Sequence, residues 1–280
     1  MNCLFVVNTL SGNASKVRED ELLAKYAAGD NVQKKYITSP EDTYSVAGFD
    51  KLIVCGGDGT LNHALNICRD CDIDVYYFPF GTFNETAKGS RKVPVRELAK
   101  LGRIGDVDFA YVAAAGSFTD IVRVSAKSKR RFKVFAYFSR VLSSYRVHKI
   151  HADISCEKYE SSDDYTLIML SNARRCFGFR FNRLHKDNSD ELQLITIKAP
   201  KKDNLWGRIK MFFPFFRVFF LGFNKESIGK NVRIVSAKNA TIRLADPTSF
   251  CIDGEYRALS GEQMATKVAH KARVHLIHMY

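Results

Sequence analysis

Residues 54–65, VCGGDGTLNHAL, set three glycines around one aspartate between an apolar run and an amphipathic one. The preceding FDKLIVC (49–55) reads as a short buried strand, and Leu61, Ala64, Leu65 and Cys68 recur at helical spacing afterwards. A chain punctuated in this way turns from a strand straight into a helix, which is the joint of a layered α/β fold. Glycine at such a turn permits positive φ and close approach of a ligand, and the helix start offers unpaired N–H groups and its positive dipole end. Those properties suit a phosphate, although any tight strand-to-helix turn can use glycine for geometry alone. Asp58 favours the phosphate, because a carboxylate beside it calls for a cation between the two. A magnesium nucleotide is the expected ligand.

The segments around this turn alternate. CLFVVN (3–8), SKVREDELLAKYAAG (15–29), VQKKYIT (32–38), a helix from about Pro40, DKLIVCG (50–56), TLNHALNICRD (60–70) and DVYYFPFG (74–81) read strand, helix, strand and so on. That order predicts a Rossmann-like α/β layer with a mostly parallel sheet. Ligands of such sheets bind beyond the carboxyl ends of the strands. VNTLSGN (7–13), Thr38, GGDGT (56–60) and PFGTFNE (79–85) should therefore meet at one edge.

From about residue 107 the texture changes. VDFAYVAAAG (107–116), IHADISCE (150–157), YTLIMLSN (165–172), ELQLITIKA (191–199), NVRIVSAKNATIRLA (231–245) and TSFCIDGEYRA (248–258) are short alternating runs. They predict antiparallel sheets arranged as a β-sandwich, interrupted by a helix near FKVFAYFSRVLSSY (132–145). The expected domains are 1–108 and 109–280, with the last residues open to return to the first.

A chain of 280 residues with 46% hydrophobic and 26% charged residues can bury a good-sized core throughout. The opening MNCLFVVNTL lacks a basic leader region and reads as a first core strand, so a cytoplasmic protein is expected. Seven scattered cysteines agree with a reducing compartment and no disulfides. The net charge of +13 is unevenly placed: residues 1–108 carry 13 Lys+Arg against 15 Asp+Glu, and the remainder 30 against 15. An anionic partner belongs to the second part, and charge alone does not separate nucleic acid from an acidic membrane surface.

NTLSGN (8–13), GGDGT (56–60), PFGTFNETA (79–87) and DGE (253–255), in that order, resemble the diacylglycerol kinase catalytic family, specifically soluble bacterial lipid kinases related to sphingosine kinases. NAD kinases and phosphofructokinases have glycine-aspartate turns like GGDGT; the joint pattern is what narrows the likeness. The resemblance implies a nucleotide-binding α/β domain followed by a β-sandwich lipid domain, with ATP in the cleft between them. It implies that Asn8, Ser11, Gly12 and Thr38 border the nucleotide, and that Gly56, Gly57, Asp58, Gly59 and Thr60 hold phosphates and Mg2+. Gly81, Thr82 and Asn84 would complete the pocket. Asp253 would be the general base, with Asp58 the other catalytic carboxylate. Phosphoryl transfer to a poorly nucleophilic hydroxyl needs that set of positioning, metal and base.

Four departures accompany the likeness. The family's Asn-Pro is Asn8-Thr9, its Asn-Asp is Asn84-Glu85, and a Glu three residues after Thr60 is replaced by His63. Its structural magnesium site falls in KDNSDELQL (186–194), where the expected Asp lands on Ser189 or Asp190 according to register, so retention of that second metal is not expected.

The implied activity is an ATP- and magnesium-dependent lipid kinase acting on a hydroxyl of a diacylglycerol-like lipid, peripherally bound at a membrane surface, with no nucleic-acid partner. The alternatives are an NAD kinase-like phosphotransferase with a soluble acceptor, and a catalytically weak protein that binds nucleotide or anionic lipid. Among weaker signals, CRDC (68–71) has zinc-like spacing without a second pair, and His63 and His185 read as ordinary histidines. No acidic residue lies between Ile121 and Ala152, where Arg123, Lys127, Lys129, Arg130, Arg131, Lys133, Arg140, Arg146 and Lys149 form either a solvated face or a membrane-facing one. LWGRIKMFFPFFRVFFLGF (205–223) is too interrupted to span a membrane, and suits interfacial contact, an acyl-pocket wall or a core helix.

Overall fold

The computed structural model describes residues 1–82, 84–88, 94–117, 148–176, 180–186, 189–202 and 204–278. Two compact units are formed, one by Met1–Leu101, Asp108–Ala110 and Val268–Tyr280, the other by Gly102–Val107 and Tyr111–Lys267.

The first unit runs β1 (Asn2–Asn8), α1 (Glu19–Tyr26), β2 (Asn31–Ile37), β3 (Lys51–Gly56), α2 (Asp58–Ile67), β4 (Asp74–Pro79), α3 (Glu85–Lys88) and β5 (Val95–Glu97), and takes in the chain's last strand, β16 (Arg273–Ile277). The strands lie in the order β2-β1-β3-β4-β16-β5, parallel except for β5. The central strands are covered on both faces, which is why β1 and β3 read as unbroken apolar runs, whereas the edge strand β2, NVQKKYI, is largely exposed. Leu4, Val6, Leu52 and Val54 pack on Leu61, Ala64 and Leu65 of α2, while Cys3, Phe5, Val7, Ile53 and Cys55 pack on the side of Leu22 in α1.

Two sequence expectations are corrected here. The helix over 15–29 is reduced to α1, because Val17 is extended and only a single 3-10 turn, Ala14–Lys16, precedes it. No helix starts near Pro40. Instead the Asp42 carboxylate accepts the backbone N–H groups of Thr38 at 2.7 Å and Ser39 at 2.9 Å, and the Thr38 hydroxyl at 3.0 Å. Such local side-chain acceptors compete with the helical ladder.

In the second unit, β8 (Val112–Gly116), β9 (Ile150–Cys156), β10 (Tyr159–Ser171), β11 (Leu192–Lys198), β12 (Ser227–Ile228), β13 (Val232–Ala237), β14 (Asn239–Ile252) and β15 (Glu255–Ala269) form an antiparallel ladder in the order β12-β13-β11-β10-β8-β14-β15. β6 (Lys100–Ile104) and β7 (Val107–Phe109) occupy the segments where the chain passes between units. Two long inner strands, β10 and β14, each serve twice. Residues 167–171 of β10 and 250–252 of β14 flank β8, whereas residues 159–165 of β10 and 240–244 of β14 flank β9. The ladder therefore closes on itself through β8 and β9 as one continuous set of hydrogen bonds. α4 (Leu205–Phe216) leads into a π-helical turn, Arg217–Leu221.

The helix expected at 132–145 and most of the basic run, Arg123 to Arg146, lie outside the described residues. No helix among the described residues is long and apolar enough to cross a membrane. All seven cysteines are free thiols.

Candidate active site

Parallel pairing sets the carboxyl ends of the first four strands side by side, with Asn8 opposite Ile37 and Gly56 opposite Pro79. The loops leaving those ends are tied to one another. Asn8 donates from Nδ2 to the Thr60 hydroxyl at 2.8 Å, joining the loop after β1 to the first turn of α2. Thr9 donates from its hydroxyl to the Ile37 carbonyl at 2.8 Å, which anchors the same loop beside Thr38. Phe80 and Gly81 donate their N–H groups to the Gly56 carbonyl at 2.8 and 3.0 Å.

Asn13 was not singled out in the sequence, yet it carries the remaining connection. It donates from Nδ2 to the Gly81 carbonyl at 2.8 Å and from its backbone to Phe80 at 2.9 Å. The Tyr77 hydroxyl also donates to the Gly56 carbonyl, at 3.2 Å. Neither residue has a spacing that marks it; their partners come from strands distant in sequence.

The glycines are needed for a different reason from the one expected. None of Gly12, Gly56, Gly57, Gly59 and Gly81 is among the positive-φ glycines. Close packing of the loops is the constraint: a Cβ on Gly81 would lie 2.5 Å from the Gly57 Cα, one on Gly12 2.5 Å from the Thr82 hydroxyl oxygen, and one on Gly56 2.5 Å from the Thr60 Cβ. Gly57 is the extended residue before α2, so the first N–H groups of that helix open directly from the glycine turn.

Asp58 opens α2 and its carboxylate bridges to the next loop. Its oxygens accept the N–H of Glu85 at 3.0 Å and of Thr86 at 3.1 Å, which caps the start of α3. Burial pushes the Asp58 carboxyl above its ordinary value, and the Thr86 and Glu85 N–H groups oppose that shift. Two hydrogen bonds leave a carboxylate with further lone pairs, so this bridge is compatible with a cation contact. Asn84, at φ 50°, donates from Nδ2 to the carbonyls of Pro79 and Gly81 at 3.0 and 2.9 Å. Its Oδ1 is buried and has no hydrogen-bond donor. Glu85 and Thr86 are buried beside it, while Thr38 and Thr82 are exposed and Ser11 is half-buried.

In the second unit, DGE is the turn of the β14–β15 hairpin. Ile252 pairs with Glu255, leaving the two-residue loop Asp253-Gly254 with φ of 50° and 101°. Asp-Gly is favoured in hairpin loops for that pair of positive angles. The Asp253 side chain folds inward: Oδ1 accepts the N–H of Tyr111 at 3.0 Å and of Val112 at 2.9 Å, and the residue is only 1% exposed. Asn84 and Asp253 are the two non-glycine residues at positive φ among the described residues. Backbone held in that region concentrates at functional sites.

Cys68 is fully buried and its thiol is pushed up to about 12 by burial, which disfavours the thiolate a metal would need. Among the described residues no three His, Cys, Asp or Glu side chains gather as metal ligands, around CRDC or around Asp190, which is exposed. His63 packs edge-on against Tyr44, and His185 is buried, its backbone N–H donating to the Asn182 side-chain carbonyl at 3.1 Å.

Residues 2–109 match the family model of the diacylglycerol kinase catalytic domain. The chain is 23% identical over 229 residues to a diacylglycerol kinase of Bacillus subtilis (strain 168), covering 74% of this chain and 72% of that protein. Among solved structures it is similar to a diacylglycerol kinase from Bacillus anthracis str. Sterne, with 15% identity, TM-score 0.62 and coverage of 99% and 97% of the two chains. An NAD kinase from Archaeoglobus fulgidus, solved in complex with ATP, aligns at 14% identity and TM-score 0.50 over 99% and 94%. These likenesses support a kinase-type phosphotransferase. The α/β unit followed by a β-rich unit is thus the fold shared with diacylglycerol and NAD kinases, and the stretch that matches the diacylglycerol kinase catalytic model, residues 2–109, contains three of the four motifs that carry the resemblance.

Proposed function

We propose that the protein is an ATP- and magnesium-dependent lipid kinase that phosphorylates a hydroxyl of a diacylglycerol-like lipid at a membrane surface. The observation that carries this reading is the bridge from Asp58 to Glu85 and Thr86, which binds the GGDGT turn and the GTFNE turn into one cradle at the start of α2. The residues fit a metal nucleotide on two counts. The first N–H groups of α2 open from a glycine turn, and the buried Asn84 Oδ1 is an acceptor with no donor.

Asn8, Ser11, Gly12 and Thr38 would border the nucleotide, Gly56 to Thr60 would face its phosphates, and Gly81, Thr82 and Asn84 would close the cradle. Asp58 would face the magnesium ion, which neutralises phosphate charge when bound. Asp253 would accept the proton of the lipid hydroxyl; its carboxylate is already fixed in orientation by the Tyr111 and Val112 N–H groups. The bacterial relative named as a diacylglycerol kinase supports the lipid class. The excess of basic residues after residue 108 supports an anionic surface as the place of work.

Incubation of the purified protein with Mg-ATP and a total lipid extract, with mass detection of products, tests the reading. A lipid gaining one phosphate is expected. No phosphorylated lipid, together with phosphorylation of added NAD, would transfer the protein to the NAD kinase-like alternative.

A further inference from the structure

We propose that the outward face of α4 and the turn after it is a docking surface for an anionic phospholipid bilayer. This rests on the lipid-kinase reading for the reason a bilayer is met, and on the geometry of the helix for the surface itself.

Trp206, Lys210, Phe213, Arg217 and Leu221 follow one another at i, i+4, i+7, i+11 and i+15, the spacing that stacks side chains along one side of a helix. Trp206 is 70% exposed, Phe213 65% and Leu221 61%, and Lys210 and Arg217 are exposed with them. Three of the nine exposed large apolar side chains among the described residues therefore lie on this single stripe. The opposite side is already fully engaged. Phe215, Val218 and Phe219 are buried, and Phe219 stacks on Phe181 at 5.4 Å and on Phe215 at 6.1 Å. Anchoring of the helix thus makes no demand for Trp206 or Leu221 on the outside.

Charge selects the occupant. No acidic residue lies between Asp203 and Glu226, whereas Arg208, Lys210 and Arg217 fall within that stretch. An aromatic and aliphatic stripe laced with cations and free of carboxylates matches the headgroup region, where indole rings settle and basic side chains reach lipid phosphates. A second copy of this face fits poorly, since a twofold contact would set the Lys210 and Arg217 cations of one chain against those of the other. The contact lies in the plane of the surface, since a helix of 12 residues is too short to cross a bilayer.

Trp206 is the chain's single tryptophan, so its emission reports on this face in the unmodified protein. With phosphatidylglycerol vesicles the emission should shift to the blue and be quenched by bromine-labelled acyl chains. Neither change should occur with phosphatidylcholine vesicles, and added salt should reverse both. The double substitution Lys210→Ser and Arg217→Ser should weaken vesicle binding about thirtyfold, at the usual contribution per basic side chain, while activity on a short-chain, detergent-dispersed diacylglycerol is retained.

Co-sedimentation with the vesicles without any change in Trp206 emission would overturn the proposal, placing the bilayer on another surface and leaving the lipid-kinase reading intact. A blue shift that follows protein concentration in the absence of lipid would overturn it in favour of a second copy. Activity on dispersed diacylglycerol with no vesicle binding would overturn the docking alone; absence of both would overturn the docking and the lipid-kinase reading together.

Discussion

The Asp58 carboxylate accepts the backbone N–H of Thr86 at 3.1 Å, so the first residue of one helix caps the start of the next. With the Glu85 N–H on its other oxygen, this side chain has two roles open to it, a cap and a cation contact. Asp58→Ala leaves two buried N–H groups without their acceptor, which should cost about 1–3 kcal/mol of stability. Binding of Mg-ATP should fall below detection in calorimetry as well. Unchanged affinity in a variant of lowered melting temperature would make Asp58 a cap only.

Asp253→Asn should leave nucleotide affinity near that of the parent and lower turnover by about a hundredfold or more, the ordinary scale for a general base. Turnover within a few fold of the parent would assign Asp253 to the hairpin alone. Gly254→Ala probes that hairpin separately. No atom crowds the new Cβ, yet φ of 101° strains any side chain there, so a loss of about 1–3 kcal/mol is expected in denaturant unfolding.

Gly81→Ala and Gly57→Ala should differ although the two residues touch. The Cβ on Gly81 meets the Gly57 Cα at 2.5 Å, whereas the Cβ on Gly57 reaches the Gly81 Cα at 3.4 Å. Overpacking of that kind costs about 1–3 kcal/mol, so Gly81→Ala should lower the melting temperature and Gly57→Ala should change it little. Equal melting temperatures would show that the two loops separate easily.

Arg273 forms a two-pronged pair with Asp74, Nε to Oδ1 at 2.7 Å and the guanidinium end to Oδ2 at 3.1 Å, clasping β16 to β4. The Arg273 hydrogen bond holds the Asp74 carboxyl below its ordinary value, with His275 adding to the effect. A depressed folded-state value gives stability that is present above the unfolded value of about 4 and is lost as pH falls through the folded one. Arg273 is half exposed, so the pair is screened by solvent and its loss is a small deficit. Arg273→Ala should show that deficit in unfolding at pH 7 and converge on the parent below pH 4. A deficit independent of pH would point to lost packing instead.

The parallel sheet was legible because its central strands β1 and β3 are apolar runs that end on Asn8 and Gly56, and α2 because its apolar spacing starts at the GGDGT turn. The helix expected from Pro40 was not, since Asp42 satisfies Thr38 and Ser39 through contacts that periodicity does not register. The role of Asn13 was hidden for a related reason: its partners Phe80 and Gly81 lie on a loop far along the chain. Asp253 was found through the DGE triplet, while the hairpin that accounts for its neighbour Gly254 emerged only with the pairing of Ile252 and Glu255. The single ladder closing through β8 and β9 depends on β10 and β14 each changing partner along their length, which alternation of apolar residues cannot convey.

The most direct measurement of the central claim is the fate of the γ-phosphate of labelled ATP, given magnesium, dispersed diacylglycerol and NAD together. The account predicts label in organic-extractable material, magnesium-dependent, and reduced about a hundredfold or more in Asp253→Asn. Label confined to NADP in the aqueous phase, or label in neither fraction with nucleotide still bound, would contradict it.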